Sequence, residues 1–306
     1  MTMDRRALLR AALASALGTG VGACSWTPTP AGGTPAGPTP TLDTASRPPP
    51  STPTPTPATA TTTTRAPTPE RLPTRAQIEA RYDGVAPTHW GVGGPGVTST
   101  LAGRGRFAAL TFDACGGRGG DGYDRALISV LRKERVRATL FLNERWIAAN
   151  PSAFEDLAAE PLFDIANHGS RHLPLSVTGR AAYGIAGTRN PGEVYTEVVE
   201  NAVNLRQRLG RPSILFRSGT AHYDDVAARI VHDLRMRPVG FDVNGDAGAT
   251  FTPAQVVAAM RGVRPGSIVI GHMNHPGRGT AAGLREALPR LRAAGFEFVH
   301  VRDHLG

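Results

Sequence analysis

The stretch Phe107-Ala108-Ala109-Leu110-Thr111-Phe112, which leads directly into Asp113, decides the fold of this chain. It is an apolar run of β-strand type that ends on a carboxylate, and four later runs of the same type also lead into polar residues. The residues that follow those later runs are His168 and His172, Arg217, Asp242 and Asp246, and His272. Because the parallel strands of an α/β barrel carry their active-site residues at one end, the pattern predicts a single shared site.

Seven strand-like runs alternate with helix-like stretches from Arg106 onward, which predicts an α/β fold. The runs are Phe107–Phe112, Ala138–Leu142, Phe163–Asn167, Ser213–Phe216, Val239–Asp242, Gly266–Gly271 and Phe296–Val301. Helices between strands are the crossovers that parallel strands need. Since polar residues follow nearly every run instead of meeting at one switch point, the pattern favours a barrel over an open doubly wound sheet.

The clearest predicted helix runs from Pro191 to Leu209. Asn190 can cap its first turn, Glu193 can complete a capping box, and Gly210 suits the position that ends a helix. A second capping pattern at Thr252–Gln255 predicts the start of another helix.

Residues 1–24 predict an export signal that is not part of the fold. Arg5-Arg6 precedes an apolar stretch, in the layout of a twin-arginine or general secretory signal. The stretch ends in Val21-Gly22-Ala23-Cys24, which resembles a bacterial lipobox. These features predict an exported protein of the cell envelope that a lipid on Cys24 anchors to the membrane. The alternative is an ordinary cleaved signal in which Cys24 has no role.

Residues 25–75 are rich in proline and threonine, which predicts a disordered, extended linker. Residues 76–306 remain for one catalytic domain of barrel size. The chain has 2 cysteines, Cys24 and Cys115, so the predicted domain contains no internal disulfide.

The net charge of +9 comes almost entirely from arginine, because Lys133 is the only lysine. This charge favours an anionic partner, such as a cell-wall polymer or a membrane surface. No compact basic helix with interleaved aromatic residues is present, so the sequence predicts no nucleic-acid partner.

His168 and His172 are four residues apart directly after an apolar run. In a helical turn, this spacing lets two imidazoles face one point and share a metal ion. Neutral imidazole nitrogens suit zinc, with nickel, cobalt or iron as alternatives. The two histidines therefore predict a transition-metal site.

The other motifs also have ordinary structural explanations. Asp113 could cap the segment after its strand, and Arg217 could form a surface ion pair. Asp242 and Asp246 flank an Asn-Gly pair that is typical of a turn. His272 follows an apolar strand and is a candidate general acid.

Together, the motifs from about Arg106 to the C-terminus resemble the polysaccharide deacetylases of carbohydrate esterase family 4, the NodB-homology domain. That family carries Thr-Phe-Asp-Asp, His-Ser/Thr-x-x-His, Arg-x-Pro-Tyr, Asp-x-x-Asp-Trp and Leu-x-His, and all five positions are occupied here in that order. The resemblance implies a distorted (β/α) barrel with about seven parallel strands. It also implies metal-dependent hydrolysis of N-acetyl groups on amino-sugar polymers, such as peptidoglycan, chitin-like polymers or exopolysaccharide.

The resemblance further implies how the acetyl group is attacked. His168 and His172 would hold a divalent metal, zinc in the first place and cobalt or nickel as alternatives. That metal would act as a Lewis acid, and Asp113 would take a proton from water as the general base. Arg217 would keep Asp113 ionised and oriented.

The remaining roles concern the oxyanion and the leaving amine. Backbone N–H near Thr220 would help to hold the oxyanion, and His272 would protonate the amine. Asp246, or less favourably Asp242, would orient His272 and raise its pKa.

The chain departs from the family pattern at a metal ligand, because the second aspartate of Thr-Phe-Asp-Asp is Ala114 here. Two interpretations follow. The metal is held by two histidines and waters, or another group such as Asp113 or Cys115 completes the site. A thiolate would suit zinc.

Two aromatic positions of the family pattern also differ. Thr220 stands where the family has tyrosine, so His222 or Tyr223 would supply an aromatic wall or none is present. Ala247 follows Asp246 in place of tryptophan.

The leading hypothesis is an exported metal-dependent polysaccharide deacetylase. The alternative is a wall-polysaccharide-binding lipoprotein of the same fold that has lost catalysis, with Ala114 as its main support. A hydrolase of a different amide, with the same metal chemistry, is the third possibility.

Overall fold

The structure, a computed structural model, describes residues 72–306. The predicted export signal, residues 1–24, and all of the predicted linker up to residue 71 therefore lie outside the described residues. Within residues 72–306, no helix is both long and apolar enough to span a membrane.

Ten strands are formed, and most of them are short. They are β1 (Trp90–Gly91), β2 (Phe107–Ala114), β3 (Ala138–Leu142), β4 (Phe163–Asn167), β5 (Leu215–Phe216), β6 (Tyr223–Asp224), β7 (Arg237–Pro238), β8 (Val243–Asn244), β9 (Ser267–His272) and β10 (Glu297–Phe298). Eight α-helices are described between and before them. They are α1 (Arg75–Tyr82), α2 (Arg125–Lys133), α3 (Glu144–Ala149), α4 (Pro151–Ala158), α5 (Pro191–Leu209), α6 (Asp225–Asp233), α7 (Pro253–Met260) and α8 (Gly279–Ala293).

Eight of the strands form one parallel sheet in the order β7-β5-β4-β3-β2-β9-β8, with β10 paired to the start of β2. The sheet curls into part of a barrel with helices around it, so the predicted distorted (β/α) barrel is confirmed. In the register of β2 against its neighbours, Asp113 lies opposite His272 of β9 and Phe141 of β3. The fold thereby places the first and last predicted catalytic residues side by side.

One predicted strand does not form where the sequence places it. Instead of a strand over Val239–Asp242, the structure has β7 before this segment and β8 after it. The polar groups of the segment serve other partners: the Gly240 N–H donates to the Thr98 carbonyl, and the Gly240 carbonyl accepts from Arg217. This short connection between β7 and β8 contains no helix, so the sheet is not a regular barrel at this point.

The strand β2 supplies side chains to two separate cores, because successive residues of a strand point to opposite faces. Leu110, Phe112 and Ala114 pack in the core that faces the helices α2 and α8. Ala109 belongs to the smaller core inside the curled sheet. Asp113 has the same parity as Ala109 and therefore faces that interior.

The long helix α5 has the predicted bounds. The Asn190 side chain accepts from the Glu193 N–H, and Gly210 ends the helix in the left-handed conformation with φ 67°. The predicted capping box is only half formed there, because the Glu193 carboxylate accepts from Arg189 instead of the Asn190 N–H. The capping box at Thr252, which starts α7, is complete.

Asn190→Ala should destabilise the protein by about 1 kcal/mol, because the substitution removes the acceptor of the first turn of α5. Urea unfolding followed by circular dichroism measures the change. Asn190→Asp keeps a capping oxygen and should stay within a few tenths of a kcal/mol of the parent. Equal losses for the two variants would contradict the capping role.

Candidate active site

A cavity of about 370 Å³ opens at the carboxyl ends of the parallel strands. Several residues that the sequence singled out contribute to it. Asp113, Cys115, His172, Thr220, Ala247 and His272 line the cavity, and His168 lies beside Asp113 with no exposed surface. Residues that the sequence did not single out complete the wall: Tyr183, Ile185, Gly219, Ala221, Phe241, Asn244, Gly248 and Ile270.

A fully buried ion pair forms the floor of the site. Arg217 Nη1 donates to Asp113 Oδ1 at 2.8 Å and to Thr111 Oγ1 at 2.8 Å. Its Nη2 donates to the Gly240 carbonyl at 2.9 Å, and its guanidinium stacks over the Phe141 ring at 4.2 Å. The surface ion pair considered for Arg217 is therefore wrong, because this side chain has 0 % exposure.

Asp113 is held in its ionised form by these surroundings. Burial is the largest effect and disfavours a charged carboxylate, but the charge and hydrogen bond of Arg217, together with the nearby His168 and His272, outweigh it, and the pKa of Asp113 lies below its usual value. Its other oxygen, Oδ2, lies 3.6 Å from His168 Nε2. Asp113 thus offers one free carboxylate oxygen at the point where the histidines converge.

His168 is fixed in one tautomer. Its Nδ1 contacts the Arg217 carbonyl oxygen at 2.9 Å, so Nδ1 carries the proton that it donates, and Nε2 presents a lone pair. Burial lowers the pKa of His168, despite the opposing charge of Asp113. A neutral imidazole that donates its second N–H to a carbonyl is the usual form of a histidine that binds a metal.

His172 lies on a tight turn after β4, with φ 63°. Its ring meets that of His168 edge-on at 5.0 Å between centroids. Burial holds the pKa of His172 well below its usual value, and its Nε2 is buried without a hydrogen-bond partner. An orphaned buried imidazole nitrogen beside a second lone pair is what a metal site requires of its ligands.

The fifth motif supplies a second, different histidine. His272 Nδ1 lies 2.8 Å from Asp246 Oδ1, and the His272 backbone N–H donates to Asp246 Oδ2 at 2.7 Å. Burial acts against the imidazolium, but the hydrogen bond and the charge of Asp246 raise the pKa of His272. Asp246 has 0 % exposure and also accepts from Thr280 Oγ1.

Comparison with known proteins identifies the fold and its family. A model of the polysaccharide deacetylase family matches residues 101–239. These residues belong to the polysaccharide deacetylase family. This match confirms the predicted resemblance. The comparison with curated protein sequences found no match.

Solved structures of carbohydrate esterase family 4 share the fold of this deacetylase domain. PdaA of Bacillus subtilis, a family 4 carbohydrate esterase, aligns with a TM-score of 0.56 and 20% identity over 68% of this chain and 84% of its own. The peptidoglycan N-acetylglucosamine deacetylase Bc1960 aligns with a TM-score of 0.57 and 19% identity over 69% and 93%. BA3943, a pseudoenzyme from Bacillus anthracis, aligns with a TM-score of 0.54 and 19% identity over 66% of each chain. The fold therefore occurs in enzymes and in a pseudoenzyme.

The described residues contain one cluster of three potential metal ligands. The ligand atoms of Cys115, His168 and His172 all lie within 4.8 Å of one another. Soft and borderline donors of this kind suit zinc, cobalt or nickel better than magnesium or calcium. The residues present therefore fit a divalent transition metal, even though Ala114 contributes no ligand atom.

Thr220 lines the cavity. Its hydroxyl is buried without a hydrogen-bond partner, and its backbone carbonyl oxygen lies 2.8 Å from His222 Nδ1. Tyr223 does not supply the missing aromatic wall, because it is 1 % exposed and its hydroxyl bonds the Ser218 N–H. Tyr183 lies at the rim instead, 80 % exposed and edge-on to the His222 ring at 5.1 Å.

Asp242 is the predicted residue that the structure does not bring to the cavity. Its carboxylate accepts from Ser267 Oγ at 2.8 Å and from the Ile268 N–H at 2.7 Å. Those residues begin β9, whereas His272 ends it, so Asp242 lies at the opposite end of the strand from the site. Between the two aspartates of this motif, only Asp246 contacts His272.

One residue behind the site gave no motif in the sequence. Glu197, on α5, is fully buried, and its carboxylate accepts from the backbone N–H of Arg171 and Leu173 and from Ser170 Oγ. It therefore holds the turn that carries His172. A sequence signal was present: Glu197 is a charged residue three positions after Val194, on the apolar stripe of the helix.

Gly219→Ala should destabilise the deacetylase domain by about 1–3 kcal/mol, because its Cβ would overlap backbone atoms of His172. Backbone atoms cannot move aside as a flexible side chain can. Urea unfolding measures the loss. Gly91→Ala is the matched control, since its Cβ would meet no atom closer than 3.5 Å. A Gly219→Ala protein as stable as the Gly91→Ala protein would contradict the close approach.

Proposed function

We propose that this chain is an exported, metal-dependent hydrolase that removes N-acetyl groups from amino-sugar polymers. The observation that carries the proposal is the pairing of two environments around one cavity. A buried Asp113–Arg217 pair stands beside two neutral histidines, and an Asp246–His272 pair lies next to it on the neighbouring strand. The surroundings of Asp113 suit a general base beside a metal ion, and the surroundings of His272 suit a general acid.

His168 and His172 are the residues that would hold the metal, zinc in the first place and cobalt or nickel as alternatives. Lewis-acid activation of water and of the acetyl carbonyl is the chemistry that such an ion supplies when it is bound. The family is metal-dependent, and the orphaned Nε2 of His172 supports the assignment to this chain.

Asp113 takes a proton from the attacking water at Oδ2, the oxygen that Arg217 leaves free. Arg217 keeps the carboxylate ionised and prevents it from turning, because the guanidinium is itself fixed by Thr111 and Gly240. Because the base is already held in one orientation, reaching the reactive geometry costs little conformational entropy.

Oxyanion stabilisation is assigned to the backbone N–H of Thr220, which lines the same cavity as Asp113. His272 then donates a proton from Nε2 to the leaving amine as the C–N bond breaks, because Nδ1 is engaged by Asp246. Acetate and the free amino sugar are the products. Asp113 returns its proton to solvent, and His272 regains one.

The rim of the cavity supports a sugar substrate. Tyr183 exposes most of its ring beside His222, and flat aromatic faces stack on the apolar faces of sugar rings through dispersion and area burial. The net charge of +9 favours an anionic wall polymer as the carrier of the acetylated sugars. The predicted signal and lipobox would deliver the chain to the envelope and anchor it through Cys24.

Acetate release from N-acetylglucosamine oligomers and from peptidoglycan tests the function in the full chain. Chelation should abolish release, and added zinc or cobalt should restore it. His168→Ala, which removes a proposed metal ligand, and His272→Ala, which removes the proposed acid, should each lower kcat/KM by about 100-fold or more. His232→Ala is the control, because this half-buried histidine contacts the Gly96 carbonyl outside the cavity.

Undiminished release by both His168→Ala and His272→Ala would overturn the proposal. Polymer binding without any release, by a folded protein loaded with metal, would instead identify the non-catalytic wall-binding lipoprotein.

The pH dependence tests the pairing of His272 with Asp246. The carboxylate raises the pKa of His272, so Asp246→Asn lowers it, and the protonated acid is lost at a lower pH. The alkaline limb of kcat/KM should therefore shift toward acid, while the acidic limb, set by Asp113, stays in place. Asp242→Asn makes the same chemical change outside the cavity and should leave the profile unaltered. Equal profiles for Asp246→Asn and the parent would exclude this pairing.

A further inference from the structure

The end of β2 directs Ala114 and Cys115 to different sides of the sheet. Ala114 packs with Leu110 and Phe112 in the helix-facing core and has 0 % exposure. Cys115 follows the last residue of β2 and lines the cavity. The side chain of Cys115 therefore reaches the cavity, whereas the side chain of Ala114 does not.

The sulfur of Cys115 lies close to where a metal ligand must be. Cys115 Sγ is 4.0 Å from His168 Nε2. For zinc bonds of about 2.3 Å to sulfur and 2.0–2.1 Å to nitrogen, tetrahedral ligand atoms stand about 3.6 Å apart. The observed separation exceeds this by a few tenths of an ångström.

A second observation, independent of the cysteine, marks the same point. His172 Nε2 is buried and has no hydrogen-bond partner. Leaving a buried polar atom unsatisfied costs free energy, so this nitrogen calls for a partner. His168 Nδ1 is engaged by the Arg217 carbonyl, so its remaining lone pair is also available. Both imidazoles lie within 4.8 Å of Cys115 Sγ.

Asp113 is the competing candidate for the third ligand. Its Oδ2 lies 3.6 Å from His168 Nε2, but it is not part of the cluster that joins both histidines within 4.8 Å. Its Oδ1 is fixed by Arg217. Asp113 would also cease to be available as a base if it ligated the metal.

We propose that Cys115 is the third protein ligand of the metal, so that this chain holds its ion with two histidines and a thiolate. The inference rests on the proposed metal-dependent function. On binding, the Cys115 S–H proton leaves to solvent and the sulfur donates an electron pair to the ion. The thiolate carries the same single negative charge as the aspartate of the family pattern, but it is a softer donor that favours zinc and cobalt over manganese or magnesium.

Cobalt titration of the metal-stripped full chain tests the assignment directly. A thiolate bound to Co(II) gives a charge-transfer absorption in the near ultraviolet that histidine ligands do not give. The chain offers a matched pair, since its only other cysteine is Cys24. The absorption should persist in Cys24→Ser and vanish in Cys115→Ser, with the Co(II) affinity of Cys115→Ser lowered by at least about tenfold.

Cys115→Asp guards against a trivial loss of folding. This variant restores a ligand without sulfur, so it should bind Co(II) more tightly than Cys115→Ser while it lacks the charge-transfer absorption. Retention of the parent's Co(II) affinity by Cys115→Ser, or an absence of the absorption in the parent, would overturn the assignment.

Acetate release measured on the same samples separates the two proposals. Metal-dependent release without the thiolate absorption overturns the role of Cys115 and leaves the deacetylase standing. The absorption without any release supports the Cys115 ligand and removes the deacetylase.

Discussion

The buried contact between Arg217 and Asp113 is the constraint on which the rest of the site depends. Arg217 has no exposed surface, so its charge must be matched inside the sheet, and Asp113 Oδ1 matches it at 2.8 Å. The same guanidinium bonds Thr111 and Gly240, and its own backbone carbonyl receives the His168 Nδ1–H. One side chain therefore sets the orientation of the base and the tautomer of a metal-binding histidine.

The two kinds of histidine in the site differ through their neighbours. His168 and His172 lie in a dry environment that lowers the pKa of each and keeps both neutral. His272 is also largely buried, but the Asp246 carboxylate bonds it and raises its pKa. All three residues are histidines, so only their surroundings distinguish the proposed acid from the proposed metal ligands. His272 therefore holds a proton more readily than His168 and His172 do.

Much of the fold was predictable because its signals are local. The strand β3, the helix α5 and the complete cap at Thr252 follow from hydrophobic period and turn chemistry, and their bounds agree with the structure. Position in the sheet was harder to predict. The strand expected over Val239–Asp242 did not form, because the Gly240 N–H donates to the Thr98 carbonyl and the Gly240 carbonyl accepts from Arg217.

Most of the predicted site residues lie together in the structure, and the residues that the sequence misplaced or missed have physical explanations. Asp242 and Asp246 are equivalent as turn residues, and only the register of β9 decides which one meets His272. Tyr183 belongs to a segment without periodicity, so no pattern could place it at the rim. Glu197 was visible as a charge on an apolar stripe, but its partners lie on a loop far away in the sequence.

The crowding of His172 against Gly219 divides the cavity wall into parts with different freedom to change. Backbone meets backbone there, so no side chain larger than hydrogen fits at position 219 without moving the histidine. At the rim of the cavity, Tyr183 and Gly248 are exposed, but Gly248 has φ +71°, a conformation that favours glycine. Natural variation and laboratory redesign of specificity would therefore act on the rim at Tyr183, while the wall beside the histidines remains fixed.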